Sequence, residues 1–289
     1  MLEERRKLFT EFSQRNYTRW NTPFDLLETF IVICTEAGEE FNNSYRSTAV
    51  EENNLVFDIV VKHHARACHI SQEILCLLKS GFADGAHARW RALHEVNVTA
   101  MFIAKHGQDC AERFYRHEII ESYKGMRQHK AYEYRLNEKG PTQEELLEYK
   151  TSYDKLITKY RKTFGEPYGW ASNAIINKRV NFADIEKDVL LEHMRPYYKW
   201  ASQNIHAGVK VIINKLGMCE ATEDILLVGQ SNSGMTDPAH SSAISLAQIT
   251  TVLLNIEPNI DRLVILKIIV EMEKEIGEAF LQCDKAGKV

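Results

Sequence analysis

Proline and glycine are scarce in this chain, with six prolines and 14 glycines among 289 residues. A β-rich fold of this length needs many tight turns, so the scarcity argues against one and favours long helices. No apolar run approaches the roughly 18 residues that a membrane span requires. The N-terminal stretch MLEERRKLF lacks the apolar segment of a signal peptide. We therefore expect a cytoplasmic protein that does not enter a membrane.

The six cysteines include no CxxC pair, and each falls in an apolar or helical stretch where a free thiol packs as a small hydrophobe. His64 and Cys68 are one helical turn apart, which is half of a zinc site. No matching second pair is evident, and the chain contains neither a Walker loop nor a dinucleotide-binding fingerprint. We expect no metal ion and no cofactor.

Overall charge disfavours a general nucleic-acid surface, because the formal net charge is −4. Contact with nucleic acid would have to be local. The segment from Arg113 to Arg135 is the one clearly basic stretch, with six Lys or Arg residues against three Glu. It indicates either one wall of a nucleic-acid groove or an ordinary charged helix face.

Apolar residues recur at helical spacing along most of the chain, which predicts an all-α, multi-helix bundle. Thr22 and Pro23 are typical of a helix start, and Thr142 with Glu145 forms a capping-box pattern. The absence of a long linker favours a single domain, with residues 1–48 as an N-terminal helical appendage and 49–289 as the bundle. The main predicted helices span 1–16, 22–42, 52–80, 85–105, 109–135, 142–164 and 196–215, followed by two that begin at Asp237-Pro238 and Glu257-Pro258.

The most unusual local feature is the sequence AHARWRALHE at residues 86–95. At 100° per residue His87, Arg91 and His94 fall within about 60° of one another on a helix, and Glu95 follows Arg91 at the spacing of an ion pair. Imidazoles near an arginine suggest acid–base chemistry on a phosphate. The same pattern is also typical of a polar helix face in a bundle.

Four stretches together resemble a bacterial helical family, the domain of unknown function 5677. The resemblance covers roughly residues 50–250 and implies an all-α fold, without implying an activity. The stretches are DGAHARWRALHE from Asp84, AERFYRH from Ala111, YGW from Tyr168 and YKWASQNIH from Tyr198.

Arg89 and His94 also match the spacing of an arginine and a histidine in the HEPN superfamily of helical ribonucleases. That resemblance implies a metal-independent endoribonuclease of a toxin or antiphage defence system, which acts as a homodimer on RNA. His94 would be the general acid and base, Arg89 or Arg91 would stabilise the phosphate charge, and Glu95 would orient the arginine. His117 is a further catalytic candidate.

A second hypothesis is a non-catalytic helical module that binds a partner protein or a small ligand between the helices at 52–80, 85–105 and 196–215. In this hypothesis Arg91, Glu95, His117 and His206 form a buried polar network that fixes the register of the helices. The two hypotheses differ in whether His94 and an arginine share a solvent-accessible cleft.

Overall fold

A computed structural model describes residues 1–176, 179–213, 215–223 and 225–287. Within these ranges the chain forms helices and turns and no β-strand, so the predicted all-α, multi-helix fold is confirmed. The α-helices are α1 (Leu2–Glu51), α2 (Leu55–Lys79), α3 (Ala83–Leu136), α4 (Gln143–Tyr160), α5 (Phe182–Asp188), α6 (Arg195–Gln203), α7 (Val209–Ile213), α8 (Thr236–Leu254) and α9 (Ile260–Ala286).

Helix α1 is continuous for 50 residues, so the predicted helix start at Thr22 and Pro23 is wrong. Proline inside a helix costs about 3 kcal/mol, because it removes a backbone donor and crowds the preceding turn. Trp20 and Phe24, on either side of this position, are fully buried. Both rings pack on Phe280 of α9, at centroid distances of 5.8 and 5.9 Å. Burial of two large aromatic side chains offsets the cost of the proline.

The predicted helix end at residue 42 is also wrong, because α1 continues to Glu51, but local signals are confirmed at two other places. The capping box that opens α4 is confirmed, since Thr142 Oγ1 accepts from the Glu145 N–H while Glu145 Oε2 accepts from the Thr142 N–H. The break predicted near residue 107 is present as a kink inside α3, where Gly107 has a φ of 73°. Glycine suits this position because other residues rarely adopt positive φ.

Helix α6 begins at Arg195 as predicted and ends at Gln203, well before the predicted end at Lys215. Asn214, which falls in the predicted helix, lies outside the described residues. The shorter α6 leaves His206 in an exposed turn. His206 therefore does not continue the helix face that carries Tyr198 and Ser202.

Two compact units make up the chain, one formed by residues 1–101 and 193–289 and the other by residues 102–192. In the first unit α1, α2, α8 and α9 form a four-helix arrangement, in which α2 and α9 each contact both α1 and α8. The N-terminal part of α3 joins this unit, where the Trp90 indole N–H donates to Ser245 Oγ of α8 at 3.0 Å. Residues 86–95 of α3, which we call the polar strip, thus pack against the core of the first unit.

The second unit contains the rest of α3, with α4, α5 and two short 3-10 turns. Its core includes Phe102, Phe164 and Trp170. The predicted boundary after residue 48 stays a prediction; α1 passes through it and ends at Glu51. None of the helices in the described ranges is long and apolar enough to cross a membrane.

Candidate functional site

The two imidazoles of the polar strip on α3 are both buried. His87 has no exposed surface and His94 is 1% exposed. The His87 ring stacks on Trp90 at 5.6 Å and meets Trp200 edge-on at 5.0 Å. Burial lowers the pKa of His87 to about 4, so its ring is neutral at pH 7.

His94 is enclosed by aromatic rings. Its ring centroid lies 5.4 Å from that of Trp90 and 5.8 Å from that of Tyr198 on α6. A ring in these surroundings adds packing energy in the way that an aromatic core residue does. With almost none of its surface exposed, His94 is poorly placed to exchange a proton with a molecule in solution.

The guanidinium and carboxylate of the strip are partly exposed, with side-chain accessibilities of 27% for Arg91 and 37% for Glu95. Arg91 Nη2 donates to Glu95 Oε1 at 2.9 Å, which confirms the ion pair that their spacing predicts. Tyr198 Oη donates to the same carboxylate oxygen at 2.5 Å. Burial first, and the hydrogen bond to Glu95 second, raise the pKa of Tyr198, so the phenol stays protonated.

Two guanidinium groups lie over the ring of Tyr198. The guanidinium carbon of Arg91 is 5.0 Å from the ring centroid, and that of Arg195 on α6 is 5.1 Å from it. Both distances are within the range of a cation–π contact. We call Arg91, Glu95, Arg195 and Tyr198 the Tyr198 cluster.

Arg89, the arginine of the HEPN-like spacing, has a different partner. Its Nε donates to Glu73 Oε2 on α2, and its side chain is 27% exposed. The ion pair links α3 to α2, and it lies on a face of α3 other than the one that packs against Tyr198 of α6. The structure therefore does not bring Arg89 into the Tyr198 cluster, because Arg89 and Arg91 are two positions apart and point to nearly opposite sides of a helix.

His117 belongs to the second unit and is 5% exposed. Its Nε2 donates to the Glu166 carbonyl at 2.9 Å, and its ring meets Phe164 edge-on at 5.2 Å. Burial lowers the pKa of His117. These contacts hold the 162–170 turns against α3 and give His117 a structural role within its unit.

The basic stretch of α3 does not present all its cations to solvent. Arg113 is buried at 7% exposure, with Nε donating to the Trp170 carbonyl at 3.1 Å and Nη2 to Ser172 Oγ at 3.0 Å. Arg116 pairs with Glu112 at 2.7 Å. These contacts weaken the prediction of a nucleic-acid groove along this stretch.

His64 and Cys68, whose spacing matches half of a zinc site, are built into the core of the first unit. His64 Nε2 lies 3.0 Å from Thr250 Oγ1, and Cys68 Sγ lies 3.8 Å from the same imidazole. Burial lowers the pKa of His64 to about 4. Among the described residues, no group of three or more His, Cys, Asp or Glu side chains is arranged to hold a metal ion.

Arg195 was not predicted from the sequence to be functional, and Tyr198 appears there only as the first residue of the stretch YKWASQNIH, which carries the family resemblance. The three-residue spacing of Arg195 and Tyr198 was a usable signal, because it places a cation beside an aromatic ring on one helix face. The contact with Arg91 had no such signal, since more than 100 residues separate it from Tyr198 in sequence.

Residues 57–224 match a family model described as "Family of unknown function (DUF5677)". This range is more than half of the chain and includes the whole Tyr198 cluster. No curated protein and no solved structure matches the chain significantly.

Proposed function

The chain belongs to the family of unknown function DUF5677, and we propose that it is a non-catalytic helical module that binds a small ligand at the Tyr198 cluster. The observation that carries this proposal is the unequal exposure of one helix face. Its imidazoles, His87 and His94, are sealed in aromatic packing, whereas Arg91 and Glu95 reach solvent. On this face the charged groups that could bind a ligand are accessible to solvent. The imidazoles that would transfer protons are not.

The contacts within the Tyr198 cluster suit a site that binds a ligand without catalysing a reaction. Arg91, Glu95 and Tyr198 are joined through one carboxylate oxygen, so their side chains are held in place before any ligand arrives. A preorganised polar group loses little conformational freedom on binding, and this favours affinity. The cluster joins α3 to α6, which correspond to two of the three helices between which the second sequence hypothesis expects a ligand.

The ribonuclease hypothesis stays a rival prediction, and the surroundings of His94 argue against it. Attack by an RNA 2′-hydroxyl on its own phosphate needs a base within about 3 Å of that hydroxyl, or one water away. Trp90 and Tyr198 lie against the ring that would have to approach the hydroxyl. A role for His94 in helix packing accounts for its position directly.

Substitution of His94 distinguishes the two roles. His94→Ala removes a buried ring from between Trp90 and Tyr198, which should cost about 3 kcal/mol by analogy with truncation of other core aromatics. We expect a fall of about 6 °C in melting temperature, measured by circular dichroism. Total cellular RNA after induced expression should be intact for both the parent and the variant.

Arg89→Ala is the matched control on the same helix, because it removes a partly exposed ion pair and should shift the melting temperature by about 2 °C or less. The proposal fails if the parent degrades RNA and His94→Ala abolishes the degradation while melting like the parent. That pair of results would make His94 a catalytic residue.

A further inference from the structure

A cavity of about 500 Å³ opens between α1 and α2 of the first unit, and we call it the α1–α2 cavity. Its lining residues all lie on these two helices, so its shape is set by helix packing and not by a loop. The volume is within the range of roughly 300–1,000 Å³ that is usual for small-molecule sites. None of its lining residues belongs to the Tyr198 cluster.

The floor of the cavity is formed by four buried residues, Gly38 of α1 and Val61, His64 and Cys68 of α2. Gly38 has no side chain, and the other three contribute a branched alkyl group, an imidazole and a thiol. Burial raises the pKa of the Cys68 thiol, so it keeps its proton and acts as a small apolar group. The floor is therefore largely apolar.

The polar atoms of the floor already have partners inside the protein. Thr250 Oγ1 donates to the Leu246 carbonyl at 2.7 Å, so His64 Nε2 is the donor in its 3.0 Å contact with Thr250 Oγ1. The other ring nitrogen, Nδ1, is then the acceptor for the Cys68 thiol, whose sulfur lies 3.8 Å away. A polar ligand atom that reached the floor would have to displace one of these bonds, which disfavours a polar ligand.

The charges that line the cavity also favour an uncharged ligand. Arg46 Nη1 and Lys62 Nζ donate to the two oxygens of Asp58 at 2.7 and 2.6 Å, so an anionic ligand would have to compete with a carboxylate already in place. Glu39 is exposed to water, where its attraction for a cationic ligand is weak. An uncharged ligand leaves all of these interactions intact.

We infer that the α1–α2 cavity binds an uncharged, largely apolar small molecule, whose body lies on Val61, His64 and Cys68. Such a body gains free energy by leaving water and requires no hydrogen bond from the floor. The site is additional to the Tyr198 cluster, and the inference does not depend on the proposed function.

Three probes that share one ring system test the inference on the full chain. Indole is uncharged, indole-3-acetate carries a carboxylate and tryptamine carries an ammonium group. Isothermal titration calorimetry should give a dissociation constant on the order of 1 mM for indole, because the ligand is small. Each charged probe should bind at least about threefold more weakly, since its charge loses water without gaining a free partner. The methyl NMR signals of Val61 and Ala65 should shift on addition of indole.

Two variants close the cavity from opposite walls. Ala65 of α2 and Thr35 of α1 both line it and are exposed, so larger side chains there need no rearrangement of the core. Ala65→Phe should weaken indole binding about tenfold or more, and Thr35→Leu about threefold or more, because each occupies the space of the ligand. Arg66→Phe is the matched control: it adds the same ring at the next position, which is exposed and does not line the cavity. It should bind indole like the parent.

The inference is overturned if indole does not bind the parent at about ten times the expected dissociation constant, or if folded Ala65→Phe and Thr35→Leu bind it as the parent does. Tighter binding of either charged probe than of indole would also overturn it. Arg195→Gln separates this site from the Tyr198 cluster and should bind indole like the parent. Loss of binding in Arg195→Gln but not in Ala65→Phe would place indole at the cluster, which rejects the inference and leaves the proposed function standing.

Discussion

His87 of α3 packs against the indole rings of Trp90 and of Trp200 on α6. Neither nitrogen of the His87 ring has a hydrogen-bond partner in the described part of the chain. A buried donor without a partner costs about 1–3 kcal/mol. The ring also has to stay neutral, because burial lowers its pKa from 6.5 to about 4. His87 therefore couples the stability of the first unit to pH.

The direction of this pH dependence follows from whether the folded or the unfolded chain binds a proton at the higher pH. Below about pH 6.5 the unfolded chain protonates at His87 while the folded chain does not. The stability contributed by the neutral ring is complete above this pH and is lost as the pH falls toward 4. Between pH 8 and pH 5 the loss from His87 should be about 2 kcal/mol.

His87→Phe should remove this share of the pH dependence. Phenylalanine keeps an aromatic ring against the two indoles and has no nitrogen to protonate. We expect the free energy of unfolding of the variant, measured by urea denaturation, to fall about 2 kcal/mol less than that of the parent from pH 8 to pH 5. Equal losses in the two proteins would mean that His87 does not carry the coupling.

Single residues of the site were predictable only where the signal is local. The Arg91–Glu95 pair follows from its spacing on one helix. The burial of His94 does not, because a helical pattern groups residues on a face without showing what covers that face. Tyr198 and Trp90 cover it, and Tyr198 is contributed by α6, far away in sequence.

Helix α1 shows how tertiary contacts set the limits of an element. Its proline is a local stop signal, yet Trp20 and Phe24 pack on Phe280 and the helix continues. The α4 capping box and the Gly107 kink were predictable because their causes lie within a few residues. The early end of α6 had no comparable signal in the apolar pattern.

Gly38 marks a close approach between α1 and α2. A Cβ at this position would lie 2.3 Å from Cε1 of His64, whose ring is buried and whose Nε2 meets Thr250 of α8. Helices α1, α2 and α8 therefore pack so closely at Gly38 that there is no room for a side chain at this position. The imidazole cannot move away without losing its contact with Thr250.

Gly38→Ala should destabilise the first unit by about 2 kcal/mol, because overpacking outweighs the gain in helix propensity. Gly125→Ala in α3 is the control, since a Cβ there meets nothing within 4 Å. It should stabilise the protein by about 0.5–1 kcal/mol. Chemical denaturation of both variants tests the account, which is contradicted if Gly38→Ala is as stable as the parent.

Over the whole molecule, composition was enough to predict an all-α fold. The division into two compact units was not predicted, because α3 passes from one unit to the other without a linker that composition would reveal. Family membership establishes the relationship and leaves the activity open. The proposed function therefore depends on one distinction in the polar strip, between the side chains that are buried and the side chains that are exposed to solvent.

The most direct test of that distinction is a cleavage assay in vitro, with purified protein in excess over a short RNA that carries a fluorophore and a quencher. The account predicts no increase in fluorescence above the buffer rate, with the parent and His94→Ala giving identical traces without added metal. Cleavage by the parent that disappears in a folded His94→Ala variant would contradict it.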